Sequence, residues 1–320
     1  LAEKESKQDI LLKYSSSKLI DKNVRHSCNA GYLFLQDIYY SLGIDKICSA
    51  ISSKYKFDYD LNDILSMLVY YRIPAPGSKK SSLESSKEFL EQSKCELHQI
   101  YRALEVIAKE NDFFQSELYK NSQNVINRKK DILYYDCTNY YFEIEEEDDF
   151  RKYGVSKEHR PNPIVQMGMF MDADGIPLAF SLFDGNQNDQ PSMSPLEQKI
   201  IKDFDTSDFI VCTDAGLSST ANRKFNNIQG RGFVTTQSIK KPKNFLQDFC
   251  LDDDWHLSGS TKIYKLSELD DEAGYNKVFY KDRWMNEDGL EQHLIVTYSI
   301  KYRNYQRTIR ERQIERARKL

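Results

Sequence analysis

The order of strand and helix patterns after residue 130 constrains the fold of this 320-residue chain more than any other feature. Short apolar runs bounded by turn residues predict strands, and apolar residues at helical spacing predict helices between them. In chain order these are strands at 131–137, 163–171 and 176–183, a helix at 192–204, a strand at 208–213, a helix near 219–228 and a strand at 232–237. Three antiparallel strands followed by parallel strands with helical crossovers predict an α/β fold with a mixed sheet.

Two aspartates are predicted to occupy matching places in this sheet. Asp136 ends the apolar run 132–136, and Asp214 ends the run 209–214. The first and fourth strands lie side by side in the ribonuclease H-like arrangement, so both carboxylates are expected next to each other at strand C-terminal ends. A carboxylate at the tip of a buried strand is costly to desolvate, and two neighbours repel unless a cation lies between them. The pair therefore predicts divalent-metal phosphodiester chemistry.

The chain divides by pattern into three regions. Amphipathic stripes predict a helical N-terminal domain at 1–125, a candidate DNA-binding domain, although such stripes are more often only core. Residues 126–239 are assigned to the first part of a ribonuclease H-like catalytic core. Short aromatic-rich runs predict a β-rich insertion at 240–320 that ends in a basic helix at 301–320. The expected fold is a ribonuclease H-like mixed sheet with a helical N-terminal domain and a β-rich insertion.

Local signals mark helix boundaries within the N-terminal domain. Asp60 is placed to cap a helix with an apolar stripe at 61–69. The proline-rich segment 74–77 is expected to end that helix. Residues 81–84 have the spacing of a capping box, which predicts that the next helix starts there.

Composition and charge exclude several other classes of protein. The six cysteines contain no C-x-x-C pair and the five histidines do not cluster, so zinc binding is not expected. No apolar stretch is long enough for a transmembrane helix, and the start at Leu1 has no signal-peptide core, which suggests a trimmed fragment of a cytoplasmic protein. The net charge is −4, yet residues 301–320 carry eight Lys or Arg against two Glu. Local charge therefore allows a DNA partner.

Four short runs resemble the DDE transposases of bacterial insertion sequences. They fit that family in order and spacing over roughly residues 55–320, and most resemble the group with a β-strand insertion between the second Asp and the catalytic Glu. The runs are YYDCTNYYFE at 134–143, DGIPL at 174–178, GNQND at 185–189 and TDAGLSS at 213–219. The resemblance implies a DNA transposase that cuts and transfers strands at the terminal inverted repeats of an insertion sequence, using Mg²⁺, for which Mn²⁺ substitutes.

The resemblance also implies roles for single residues. Asp136 and Asp214 match the first two of the three acids that bind the metal and carry catalysis. Asn139 is a candidate to orient Asp136 by a hydrogen bond, without binding the metal itself. Glu143 is a candidate to support a metal or the first strand, although a loop carboxylate that begins an acidic run is more often solvated. Asp189 in the GNQND run is interpreted as part of a structural turn, with DNA contact as the alternative.

Double-stranded DNA is the expected partner, as inverted repeats and as target, with the chain acting as a homodimer on it. Lys240, Lys241 and Lys243 are candidates to contact phosphates, although a basic loop is more often only solvated. Trp255 and Trp284 are candidates to stack on a flipped base, and aromatic packing in a small β subdomain is the alternative.

The third acid of the family is a Glu in the pattern Y-x2-R-x3-E-x6-K. The nearest match is Arg307-x3-Glu311-x6-Arg318, but Asn304 stands where the Tyr is expected, so Glu311 is not assigned that role. We expect the chain to end before the catalytic Glu and to be a truncated transposase that is inactive alone. The alternatives are a non-cleaving DNA-binding remnant of a transposase, a different nuclease on the same fold and, as the weakest, a glycosidase.

Overall fold

The structure, a computed structural model, describes residues 27–204, 207–228, 230–238 and 244–319. It divides into two compact units, one ending at Arg128 and the other beginning at Lys129. None of the helices in these ranges is long and apolar enough to cross a membrane. The second unit contains both Asp136 and Asp214, so the candidate site belongs to it.

The first unit is built mainly from helices that share one apolar core. The helices are α1 (Leu33–Ser41), α2 (Ile44–Ser52), α3 (Leu61–Arg72), α4 (Lys79–Ser86), α5 (Leu97–Lys109) and α6 (Asn111–Val125). Ile51, Ile64 and Ile100 are fully buried at the centre of the cluster. Because each helix is apolar on one side only, burial against its neighbours stabilises it.

The first turns of two helices test the predicted capping signals. Helix α3 begins after Asp60, whose side chain accepts hydrogen bonds from two backbone N–H groups of the first turn at 2.8 and 3.2 Å, so that prediction is confirmed. The capping box predicted at 81–84 is wrong. Helix α4 already begins at Lys79, because Ser78 Oγ accepts a hydrogen bond from Ser81 N at 3.1 Å and caps the helix three residues earlier.

The second unit contains a five-stranded mixed sheet. Its strands and connecting helices are β1 (Ile132–Tyr141), β2 (Ile164–Met171), β3 (Pro177–Asp184), α7 (Met193–Asp203), β4 (Ile210–Thr213), α8 (Thr220–Phe225) and β5 (Gly232–Thr235). The strand order is β3-β2-β1-β4-β5. The pairs β1–β2 and β2–β3 are antiparallel, and the pairs β1–β4 and β4–β5 are parallel. This is the ribonuclease H-like arrangement, and the predicted fold class is confirmed.

Strand β1 is longer than the sequence pattern indicated. It continues to Tyr141 because residues from Tyr134 onward pair with β2. Asp136 therefore lies in the middle of the strand and not at its end, which corrects the prediction. Asp214 directly follows the last residue of β4, as predicted.

Alternate residues of β1 bury one face of the sheet. Leu133, Tyr135 and Cys137 are at most 2% exposed. Tyr135 Oη lies 2.6 Å from Ser192 Oγ, directly before α7, so this face packs beneath the start of that helix. Because side chains alternate across a strand, Asp136 belongs to the opposite face.

The remainder of the second unit contains a small three-stranded sheet. One helix precedes its strands in the chain and another follows them. The elements are α9 (Asn244–Leu251), β6 (His256–Leu257), β7 (Val278–Glu287), β8 (Leu290–Ser299) and α10 (Ile300–Arg318). Asp288 and Gly289 form the turn between β7 and β8 with φ values of 53° and 82°, as a type I′ hairpin turn requires. Trp255 and Phe279, both at most 2% exposed, anchor the apolar cluster of this sheet.

Candidate active site

Asp136 and Asp214 are brought to the same level of the sheet by the parallel pairing of β1 with β4. The last paired residues are Tyr134 and Cys212, and continuing that register by two residues places Asp136 level with Asp214. Neighbouring strands are about 4.8 Å apart. The two aspartates therefore lie on neighbouring strands at the point where β4 ends while β1 continues along β2.

Neither aspartate is buried, which corrects the argument from desolvation. The Asp136 side chain is 67% exposed, and Asp214 is exposed as well. Asp136 is open because it lies on the uncovered face of β1, and Asp214 because it lies beyond the end of β4. The feature that favours a cation is therefore the closeness of two negative charges and not the cost of burying either one.

Backbone groups orient both carboxylates. Asp136 Oδ1 accepts a hydrogen bond from Cys137 N at 2.8 Å. Asp214 Oδ1 accepts one from Gly216 N at 3.0 Å, in the short 3₁₀ turn after β4, and Thr235 Oγ1 donates to the Asp214 carbonyl at 3.1 Å. Among the described residues no hydrogen bond reaches Oδ2 of either aspartate. These two oxygens are therefore available to a ligand.

Asp189 is a third carboxylate near the pair, a position that sequence reasoning missed. It is half-buried in the loop between β3 and α7. Burial raises the pKa of Asp189, the charge of Lys157 opposes that shift, and the charges of Asp214 and Asp136 add to it. Asp189 therefore lies within electrostatic reach of both aspartates. The sequence signal for Asp189 is the GNQND run, which is also typical of a structural turn.

Lys157 provides positive charge beside the carboxylates. Its Nζ lies 3.9 Å from Asp136 Oδ1 and donates to the Cys137 carbonyl. Asn139 holds the surrounding loop, since its Oδ1 accepts from Lys157 N at 3.2 Å and its Nδ2 donates to the Val155 carbonyl at 3.1 Å. Within the described part of the chain no hydrogen bond joins Asn139 to Asp136. Asn139 therefore contacts the backbone of Val155 and Lys157.

Among the described residues, neither Glu143 nor Glu311 joins the two aspartates in a group that could hold a metal ion. Glu143 is an exposed loop residue two positions beyond the end of β1. Glu311 is exposed on helix α10. Lys240, Lys241 and Lys243, expected to contact DNA, lie outside the residues that the structure describes.

The two tryptophans have different environments. Trp255 is 2% exposed, and its Nε1 donates to the Asp252 carbonyl at 3.1 Å, so packing accounts for it. Trp284 is 65% exposed and stacks on the His293 ring, with the ring centroids 4.8 Å apart. Of the two, only Trp284 presents a ring to solvent.

The donor atoms at this site suit a hard divalent cation. Mg²⁺ and Mn²⁺ prefer oxygen ligands, and Mg²⁺ often binds through one or two carboxylates while it keeps several waters. Asp136 and Asp214 provide such a pair. Within the described ranges, no group of three or more His, Cys, Asp or Glu side chains is arranged to bind a metal ion. The residues present therefore fit a cation held by two carboxylates and water.

Helix α10 forms a basic surface in the same unit. Its 19 residues extend for about 28 Å, and the part from Glu311 to Lys319 is exposed on every side. Its basic residues are Lys301, Arg303, Arg307, Arg310, Arg312, Arg316 and Arg318. Among these, within the described residues, only Arg303 forms an ion pair, with Asp271. The unpaired arginines leave positive charge available to an anionic partner.

No protein-family model and no curated protein sequence matches this chain. Several solved structures are similar to it at low sequence identity. A Mos1 transposase paired-end complex with left transposon end is 10% identical over 57% of this chain and 61% of that chain, with a TM-score of 0.26. A piggyBac transposase synaptic complex with hairpin DNA is 11% identical over 78% and 56%, with a TM-score of 0.35. A pre-cleavage Mos1 transpososome is 11% identical over 60% and 66%, with a TM-score of 0.24. This chain therefore spans less than two thirds of the Mos1 paired-end chain (61%) and of the piggyBac chain (56%).

Proposed function

We propose that this chain is a DDE-type DNA transposase that acts on double-stranded DNA in the cytoplasm, at the terminal inverted repeats of an insertion sequence. The observation that carries the proposal is the register of β1 with β4, which sets Asp136 level with Asp214 at one edge of a ribonuclease H-like sheet. Sequence runs that resemble the family surround both aspartates. Cutting and strand transfer at a phosphodiester are the reactions that this arrangement would serve.

Asp136 and Asp214 would hold Mg²⁺, or Mn²⁺ in its place, through their Oδ2 atoms, which no hydrogen bond reaches within the described residues. When bound, such cations activate a water or hydroxyl nucleophile and stabilise the leaving oxygen in an in-line displacement. One oxygen of each carboxylate accepts a backbone hydrogen bond, Asp136 Oδ1 from Cys137 N and Asp214 Oδ1 from Gly216 N. This orientation reduces the reorganisation that metal and substrate binding require.

The arginines of α10 would bind DNA phosphates without reading sequence. An exposed helix with net positive charge and unpaired guanidinium groups matches the charge of a duplex. Phosphate contacts of this kind position DNA and do not specify it. We further propose that two copies of the chain act together on paired ends.

A non-cleaving DNA-binding protein is the second candidate function. It is favoured by one observation, namely that no group of three or more metal-binding side chains is assembled within the described residues. Both candidates predict DNA binding, and only the first predicts that Asp136 and Asp214 bind a divalent cation.

The test is Mn²⁺ affinity, measured by electron paramagnetic resonance, for the wild type, Asp136→Asn, Asp214→Asn and Asp131→Asn. Asp131 is an exposed carboxylate directly before β1 and serves as the matched control. The transposase proposal predicts an affinity that falls at least about tenfold in either site variant and is unchanged in Asp131→Asn. Mn²⁺ affinity that survives both site substitutions would refute it. DNA binding without Mn²⁺ binding in the wild type would favour the second candidate.

A further inference from the structure

The loop that carries Lys157 is tied to β1 beside the candidate site. Asn139, 8% exposed on the strand, uses both ends of its amide to hold the backbone of Val155 and Lys157. A buried amide with both ends hydrogen-bonded fixes its partners firmly. The backbone of Lys157 is therefore held in place by hydrogen bonds to strand β1.

The Lys157 ammonium stands among the carboxylates and remains open to solvent. It lies 3.9 Å from Asp136 Oδ1, its charge acts on Asp189, and half of its side chain is exposed. An ammonium has three donors, and here one is used by the Cys137 carbonyl. The remaining donors can therefore reach a ligand that arrives from solvent.

We propose that Lys157 is a phosphate-binding residue of this site, which pairs with Asp136 in the metal-free protein and with a non-bridging phosphate oxygen of bound DNA when cations neutralise the carboxylates. This inference rests on the proposed function, because it assumes that a DNA phosphate enters beside Asp136 and Asp214. Lysine binds phosphate as a point charge. A DNA phosphate that approaches three carboxylates needs a positive group to offset their repulsion.

The alternative is that Lys157 only neutralises Asp136. An exposed pair at this distance contributes little to stability, so the ion pair alone does not separate the two roles. They differ in what happens when the positive charge is removed. A neutralising residue affects metal binding only, whereas a phosphate-binding residue also affects DNA.

The first measurement is Mn²⁺ affinity without DNA, by electron paramagnetic resonance, for the wild type, Lys157→Gln and Lys129→Gln. Lys129 is the matched control. Its ammonium forms an ion pair at 2.7 Å with Asp174, an exposed carboxylate that is not part of the candidate site. Removal of the competing ammonium in Lys157→Gln should raise Mn²⁺ affinity about two- to fivefold. The control should bind as the wild type does. Unchanged affinity in Lys157→Gln would overturn the metal-free half of the proposal.

The second measurement is binding of a short duplex in Ca²⁺, which occupies carboxylate sites, as a function of salt. Lys157→Gln should lower the slope of log affinity against log salt by about one, as for one lost phosphate contact. Lys157→Arg should keep the slope. An unchanged slope in Lys157→Gln overturns the phosphate-binding role, whether or not the protein nicks DNA. Failure of the wild type to bind Mn²⁺ would instead count against the proposed function alone.

Asn139 provides a third test as a positioning residue. If it acts through Lys157, Asn139→Ala should also lower the salt slope, and the double variant with Lys157→Gln should show no further loss beyond Lys157→Gln alone. Circular dichroism would establish that each variant is folded. Independent, additive losses in the double variant would overturn the link between Asn139 and Lys157.

Discussion

Arg223 Nη1 lies 3.0 Å from Glu287 Oε2, and the two side chains are only 6% and 16% exposed. Gln292 completes the cluster, since its Oε1 accepts from Arg223 at 2.7 Å and its Nε2 donates to Glu287 at 3.0 Å. Arg223 belongs to α8, shortly after Asp214, and the other two residues lie near the turn of the β7–β8 hairpin. The cluster therefore joins the three-stranded sheet to the five-stranded one.

Breaking this ion pair from one side should destabilise the second unit. Glu287→Ala leaves the Arg223 guanidinium buried without its partner, and we expect the free energy of unfolding to fall by about 3 kcal/mol. Replacing both residues with Met should restore part of that loss, because no buried charge remains. Urea unfolding measures both effects. Glu291→Ala, at an exposed position of β8, is the control, and an equal loss there would contradict the explanation.

The buried carboxyl of Glu197 should make stability depend on pH. Glu197 on α7 is 0% exposed; burial raises its pKa from 4.5 to about 7, although the Arg231 charge opposes the shift. The folded protein thus keeps a proton that the unfolded chain loses first. The contribution of this group to stability is full below pH 4.5, falls by about 3 kcal/mol as pH rises to 7, and is level above that.

Glu197→Gln removes this dependence. Relative to the wild type, its free energy of unfolding should rise by about 3 kcal/mol between pH 4.5 and pH 7.5, measured by urea unfolding at several pH values. The exposed Glu291→Gln should follow the wild-type profile. Parallel profiles for Glu197→Gln and the wild type would show that the buried carboxyl does not retain its proton.

The arginines on one side of α10 should set the salt dependence of DNA binding. Arg307, Arg310 and Arg318 share one helical face, and their replacement by Gln should lower the slope of log affinity against log salt by about two to three. Fluorescence anisotropy of a labelled duplex measures that slope. The triple variant should weaken binding to unrelated duplexes equally, because phosphate contacts do not read bases.

The matched control removes the same charge from another part of the unit. Lys262, Lys265 and Lys277 are exposed residues of the segment between β6 and β7, and their replacement by Gln should leave the slope within one unit of the wild type. An equal decrease in both triple variants would mean that net charge, and not the helix, governs binding.

Gly168 on β2 should tolerate no side chain. A Cβ at this position would lie 2.0 Å from Tyr135 Oη and 2.8 Å from Cζ, and Tyr135 is buried on the strand that carries Asp136. Gly168→Ala should therefore cost about 2–3 kcal/mol in the free energy of unfolding, measured by thermal or urea unfolding. Gly232→Ala is the control, because its Cβ would make an ordinary contact with Ile210 at 3.6 Å. Equal losses in both variants would indicate a general cost of alanine in these strands.

Local patterns were sufficient where a single element determines the outcome. Asp60 lies directly before an apolar stripe, and its carboxylate has only to reach the N–H groups of the next turn. The stripe itself was only partly predicted. Leu61 and Ile64 are buried as expected, but Met67 and Tyr70 are more buried than Leu65 and Leu68. Which side of a helix is covered most depends on the neighbouring helices, which no local pattern contains.

The sequence by itself determined the strand and helix order and the mixed α/β class, including the adjacent strands that carry Asp136 and Asp214, because apolar periodicity and turn residues act over a few positions. Tertiary structure decided the rest. Pairing with β2 extended β1 to Tyr141 and moved Asp136 from its end to its middle. Chain folding also brought Asp189 and Lys157 to the aspartates from two separate loops. Such contacts depend on the packing of segments far apart in the chain, which sequence periodicity does not encode.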